Sequence, residues 1–140
     1  MFHAALIIRV KIQSQVRGRA TIKYFDGGIG NDNISTANSY ITVNAGAGDD
    51  EISNAAQYSS IMGGSENDFI FSADTANFST INGGTGNDTI YLEGNNNTIQ
   101  YASGDGNDVI NWYDSSDKIH ITTGNYSTMT SGNDCNHQHR

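Results

Sequence analysis

Between residues 27 and 111 the chain writes one nine-residue phrase five times: "GGIGNDNIS" (27–35), "AGAGDDEIS" (45–53), "GGSENDFIF" (63–71), "GGTGNDTIY" (83–91) and "SGDGNDVIN" (103–111). The sixth position is always aspartate, at Asp32, Asp50, Asp68, Asp88 and Asp108, and the eighth is always isoleucine, at Ile34, Ile52, Ile70, Ile90 and Ile110. Successive aspartates are 18, 18, 20 and 20 residues apart. A unit this short cannot bury an apolar face alone, so a fixed period of this kind specifies a stack of similar coils, each resting on its neighbours.

A second apolar column falls nine residues before each isoleucine, at Phe25, Val43, Ile61, Ile81 and Tyr101, and Ile119 follows Ile110 by the same interval. Each coil therefore holds two short strands with an apolar residue directed inward. With that column, the two-residue length changes fall at 71–80 and 91–100, so the Gly/Asp edge keeps one length and the opposite edge accepts insertions. Strands of three or four residues do not pair stably alone. Stacked in parallel at about 4.8 Å, they build two facing sheets around a narrow seam of Ile, Val, Phe and Tyr, and five coils span about 24 Å. The expected architecture is all-β, a parallel β-solenoid.

Apolar residues make up only 36% of the 140-residue chain, and proline is absent. Burial alone is a thin source of stability for such a chain. Charge suggests the supplement. From Tyr24 to Asp117 there are fourteen acidic side chains and no Lys or Arg, and five of the seven basic residues precede Tyr24. An acidic block of this kind repels itself and excludes nucleic acid as a partner, since phosphate binding requires a basic face. It points to cations. Cys135 is the single cysteine and leaves no internal disulfide to staple the fold. The opening "MFHAALIIRVKIQ" lacks a basic start and is interrupted by Arg9 and Lys11, so it does not read as a cleaved secretory signal. No run is long enough to span a bilayer as a helix.

Glycine around each aspartate has a chemical reading. Positive φ and close backbone approach let carbonyl oxygens converge in a tight turn. A hard cation such as calcium takes six to eight oxygen ligands, carboxylate and carbonyl alike. One loop cannot supply so many, whereas two loops one coil apart can. Stacked carboxylates with no cation between them would repel one another across a single strand spacing.

These phrases resemble the G-G-x-G-x-D-x-U-x nonapeptide of RTX proteins, the hemolysin-type calcium-binding repeats. The resemblance covers residues 25–121, and "GGIGNDNIS" and "GGTGNDTIY" fit every fixed position. It implies a parallel β-roll with calcium ions between stacked loops, in a module exported by type I secretion that folds outside the cell. In the fullest form of the family the phrases run every nine residues and line both edges. Here they occur once per coil, so calcium is expected along one edge only. Five loops leave four gaps and up to four ions. The resemblance assigns as metal-binding Gly27, Gly28, Gly30 and Asp32 in the first loop, and Ala45, Gly46, Gly48 and Asp50 in the second. In the third it assigns Gly63, Gly64, Glu66 and Asp68, in the fourth Gly83, Gly84, Gly86 and Asp88, and in the fifth Ser103, Gly104, Gly106 and Asp108. Ala45, Glu66 and Ser103 stand where glycine is the rule. Glu66 is the most disruptive, because a position requiring positive φ disfavours it. The gaps flanking the third loop are expected to bind more weakly, unless the Glu66 carboxylate serves as an extra ligand.

Residues 1–24 read as an N-terminal strand and cap, 25–121 as the roll, and 122–140 as a polar tail. In the first segment "LIIRVKIQ" alternates as a strand, and Val16 lies nine residues before Phe25. Trp112 and Tyr113 are expected to cover the far end of the core. In the tail, Asp134 of "SGNDCN" reads as a degenerate remnant and "HQH" (137–139) as solvated polar sequence. No H-E-x-x-H, G-x-S-x-G or Walker phrase is present, and no enzymatic activity is expected. The competing expectation is a structural or adhesive solenoid in a large extracellular or cell-surface protein, with outward residues Thr42, Ser60, Thr80 and Gln100 as its face. A third places the roll beside the catalytic part of a toxin, protease or lipase. The partners implied are calcium ions and, in the last two cases, further domains of a secreted protein.

Overall fold

The computed structural model describes residues 13–16 and 24–123. The run before Gln13 and the tail from 124 onward, with Asp134, Cys135 and "HQH", lie outside the described residues. Twelve short strands follow one another: β1 (Gln13–Val16), β2 (Tyr24–Asp26), β3 (Asn33–Thr36), β4 (Thr42–Ala47), β5 (Glu51–Asn54), β6 (Ser60–Ser65), β7 (Phe69–Ser72), β8 (Thr80–Thr85), β9 (Thr89–Leu92), β10 (Thr98–Tyr101), β11 (Val109–Asn111) and β12 (Lys118–Ile121). Odd-numbered strands form one six-stranded sheet and even-numbered strands the other, each in the order of the coils and parallel throughout. The protein is a parallel β-solenoid of two facing sheets, as the repeat requires.

The seam follows from period-two alternation. Ile34, Ile52, Ile70, Ile90 and Ile110 lie in register down the odd sheet. Val43, Ile61 and Ile81 do the same in the even sheet, and Phe25 packs against them. The first four isoleucines, Val43, Ile61 and Ile81 are essentially fully buried. β-Branched side chains suit this pleated interior, and each fully buried one contributes about 1.5–3 kcal/mol.

Two expectations about register are corrected. Thr98 pairs with Thr80 and Ile99 with Ile81, so Ile99 and not Tyr101 is the fifth member of the even column. Ile99 in turn pairs with Ile119. Nine residues therefore do not always separate the columns across the Gly/Asp phrase. Ile99 to Ile110 is eleven, and the second extra pair lies in the fifth Gly/Asp connection. Ile99 and Tyr101 share parity, so alternation could not choose between them. Packing does, since an isoleucine matches the dry seam while a tyrosine hydroxyl must find a partner. Tyr101 finds one by donating its hydroxyl to the Gly106 carbonyl. The outward column accordingly runs Thr42, Ser60, Thr80 and Thr98, with Gln100 displaced from it. At the other end, Ser14 pairs with Ile34 and Val16 with Thr36, so Ser14 occupies the isoleucine register.

The edge opposite the Gly/Asp loops is more regular than its sequence suggests. Tyr40, Tyr58, Phe78 and Asn96 all adopt positive φ, between 53° and 62°. Tyr40 stacks on Tyr58 at 5.0 Å and Tyr58 on Phe78 at 5.2 Å, with nearly parallel rings. Left-handed backbone costs a bulky residue about 1–2 kcal/mol, and each aromatic pair returns about 0.5–1.5 kcal/mol. Of the two aromatics expected at the C-terminal end, Tyr113 packs against the core, whereas Trp112 meets Tyr91 edge-on.

Candidate cation-binding edge

Each Gly/Asp loop turns sharply between an even and an odd strand, and its glycines make the turn possible. Position two has positive φ in all five loops: Gly28, Gly46, Gly64, Gly84 and Gly104. Position four does as well, at Gly30, Gly48, Glu66, Gly86 and Gly106. Gly64 shows the second requirement. Any Cβ there would lie within 3.0 Å of the Gly46 carbonyl one coil back, closer than real Cβ contacts come. Loops pack backbone on backbone, with carbonyl oxygens directed at the next coil.

Glu66 holds φ at 76°, the strained conformation expected for a non-glycine at this position. Its carboxylate folds back over the second loop, where Oε2 accepts from the Gly48 N–H and the Ser65 hydroxyl, each at 2.8 Å. The neighbouring backbone bond is stretched. Gly48 N–H reaches the Ser65 carbonyl at 3.3 Å, against 2.6 Å for Gly30 to Ala47 and 2.7 Å for Gly86 to Asp105.

The aspartates form a continuous column, buried from Asp32 to Asp88 and half-buried at Asp108. The backbone N–H of Asp32 donates to Oδ1 of Asp50 at 2.7 Å, Asp50 to Asp68 at 2.9 Å, Asp68 to Asp88 at 2.8 Å and Asp88 to Asp108 at 3.0 Å. The other oxygen of Asp50, Asp68 and Asp88 is buried with no hydrogen-bond partner. A Cβ on Gly63 or Gly83 would collide with Oδ2 of Asp68 or Asp88, so glycine at position one makes room for that oxygen. Ala45 places a methyl there in the second loop and is itself fully buried.

Two further ladders tie coil to coil by backbone-to-side-chain bonds in which most acceptors are uncharged. At position five, the Asp49 N–H donates to Asn31 Oδ1, Asn67 to Asp49, Asn87 to Asn67 and Asn107 to Asn87. On the far edge, Ser59 N–H donates to the Ser79 hydroxyl, Ser79 to Asn97 Oδ1 and Asn97 to Asp117 Oδ1. An amide oxygen or a hydroxyl thus suffices to tie one coil to the next. Neither ladder was anticipated, although the Asn at position five in four of five phrases was its visible trace.

Burial, opposed by the backbone hydrogen bond and reinforced by neighbouring carboxylates, pushes Asp50 and Asp108 up to about 6 and Asp68 up to about 8. Burial raises Asp88 as well, and the Asp105 carboxylate is the charge that adds to it. Among the described residues no three His, Cys, Asp or Glu side chains gather closely enough to hold a metal by themselves. The column supplies one carboxylate per coil, and the backbone carbonyls of the loops stand beside it as further oxygen donors. Orphaned buried oxygens, a glycine backbone that crowds carbonyls between coils, and the lack of Lys or Arg from 24 to 117 fit a hard divalent cation.

The loop residues singled out in the sequence fall along this one edge, and the structure brings the five aspartates into one file. The fifth loop departs from the pattern. Its two additional residues are absorbed between Ile99 and Asp105, and apart from its own chain neighbours nothing lies within 4 Å of the place where a Cβ on Gly104 would sit. From Asp105 onward register returns, with Gly86 N–H donating to the Asp105 carbonyl. No described helix is long and apolar enough to cross a membrane. Comparison of the chain with family models, curated proteins and solved structures gives no match.

Proposed function

We propose that this solenoid is a calcium-binding β-roll of the RTX type, a non-enzymatic module of a secreted protein that folds when it meets calcium outside the cell. One observation carries the reading. At position six the chain places a carboxylate where position five shows that an asparagine makes the same coil-to-coil bond. That bond does not require the charge, which leaves a buried oxygen without a partner. A charge so placed is costly unless it is compensated, and a cation compensates it.

Asp32, Asp50, Asp68, Asp88 and Asp108, with carbonyls of the glycine loops, would hold the ions in the four gaps. Calcium would neutralise the column and bind only the stacked state, so binding free energy becomes folding free energy. Extracellular calcium modules work at dissociation constants of about 10⁻⁴–10⁻³ M, which suits a chain that stays loose in a calcium-poor cytosol. The test is a variant with Asp50, Asp68 and Asp88 all changed to Asn, which keeps the Oδ1 acceptors. It is expected to fold in chelator and to show little heat on calcium addition, whereas the parent chain folds only with calcium. A triple variant that still requires calcium would overturn the reading.

An adhesive or structural role in a larger cell-surface protein is favoured by a separate feature, the unbroken outward hydroxyl column Thr42, Ser60, Thr80 and Thr98 on the even sheet. Glycan-array binding abolished by Thr80→Glu would support it. The roll would serve equally as the accessory part of a toxin, protease or lipase.

A further inference from the structure

We infer that the two ends of the solenoid fit one another, so that a second copy of this chain stacks head-to-tail on the first and the coil repeat runs on across the junction. The inference rests on the fold and not on the calcium reading.

Each far-edge connection joins an odd strand to the even strand after it, which makes the stack a series of strand pairs from β1–β2 to β11–β12. The first pair is outermost at one end and the last pair at the other. All pairings are parallel and follow one order, so the outer edge of β11–β12 is the edge that each inner pair offers to its successor. The outer edge of β1–β2 is the edge that each inner pair offers to its predecessor. Such edges are templates for further pairing. A solenoid that ends in water needs a last coil with a polar outer face. The C-terminal end has the opposite: Ile119 continues the seam column of Ile81 and Ile99, both fully buried, yet is itself 49% exposed.

One further step of the same register sets β2 of the next copy on β12. Phe25 then falls on Ile119 and prolongs the seam. Exposed Tyr24 falls on Lys118, a ring beside an ammonium, and Asp26 falls on His120, a carboxylate beside an imidazole. On the other sheet Gln15 falls on Asn111, amide on amide. The far edge adds charge. The seven residues that join β1 to β2 include Arg17, Arg19 and Lys23, and the connection they meet, between β11 and β12, includes Asp114 and Asp117. Unlike ends therefore attract, whereas two like ends set together would repel. The contact is heterologous and leaves a new end open at each addition, which produces a growing fibre instead of a closed dimer.

Sedimentation velocity of the full chain in millimolar calcium, at rising protein concentration, tests this, with circular dichroism verifying that each sample is folded. The parent is expected to form a ladder of species that lengthens with concentration and shortens with added salt. Ile119→Lys blocks the C-terminal end. A triple variant, Arg17→Glu, Arg19→Glu and Lys23→Glu, blocks the N-terminal end, and each variant alone should lose the ladder. Mixed together, the two should give a single dimeric species, because each keeps the end that the other lacks. A variant that merely misfolds gives no such rescue. A parent chain that stays monomeric, with its own residues 124–140 covering Ile119, would overturn the inference. A dimer that does not grow, or a mixture of the two variants that remains monomeric, would overturn it as well. Assembly of folded chains in chelator would instead count against the calcium reading and leave this inference standing.

Discussion

Asp68 has two oxygens with different fates: one accepts the Asp50 N–H, and the other is buried without a partner. That division explains a pH dependence opposite to the usual acid denaturation. In the calcium-stripped chain the folded pKa values of Asp50 and Asp108 stand near 6 and that of Asp68 near 8, all above the unfolded value. Between about pH 4 and pH 8 the folded state binds more protons than the unfolded one, so stability falls as pH rises. Without calcium the chain should be most stable near pH 4 and loosen towards pH 8. With saturating calcium the order should reverse, because protons compete for the same oxygens. Urea midpoints across that range, with and without the ion, check both signs. Glu66 offers a second prediction at this scale. Glu66→Gly relieves its left-handed strain and removes the carboxylate from Gly48. Calcium binding in the gaps flanking the third loop should tighten, and titration that leaves every affinity unchanged would contradict this. The Gly/Asp phrase itself was plain in the sequence, since a motif with five copies declares its own register. The fate of Oδ2 was not, because which oxygen finds a donor depends on the coil beneath.

Among the elements, the coil rather than the strand is the unit of stability. Ile70 and its column neighbours bury one another only when coils stack. On the far edge, the stack of Tyr40, Tyr58 and Phe78 offsets part of the cost of its own left-handed turns. Tyr58→Ala keeps the strained backbone and loses two ring contacts, so it should cost about 1–3 kcal/mol. That loss, measured by denaturant unfolding in calcium, should leave the number of bound ions unchanged. An altered stoichiometry would show the two edges to be coupled. The coil period and the Ile34-to-Ile110 file were legible because hydrophobic periodicity survives without tertiary context. The fifth member of the even column was misjudged, since Ile99 and Tyr101 both fit alternation and only pairing with Ile81 separates them. The aromatic turns left no common phrase to find. Tyr, Phe and Asn share a φ there, not a chemistry.

At the scale of the molecule, two parallel sheets enclose a narrow apolar seam, and one edge carries a file of buried carboxylates. Apolar burial along so narrow a seam competes with the ordering of a glycine-rich chain, which is entropically costly. Charge on the edge then tips the balance against folding unless cations enter. Circular dichroism of the purified chain at neutral pH, first in excess chelator and then with millimolar calcium or magnesium, tests that dependence most directly. Magnesium demands tighter octahedral geometry and sheds water reluctantly, so it should substitute poorly. The expected result is a largely unordered spectrum in chelator and in magnesium, turning to a β-sheet spectrum on calcium addition. A sheet-rich, cooperatively melting chain in chelator, unchanged by calcium, would contradict calcium-coupled folding.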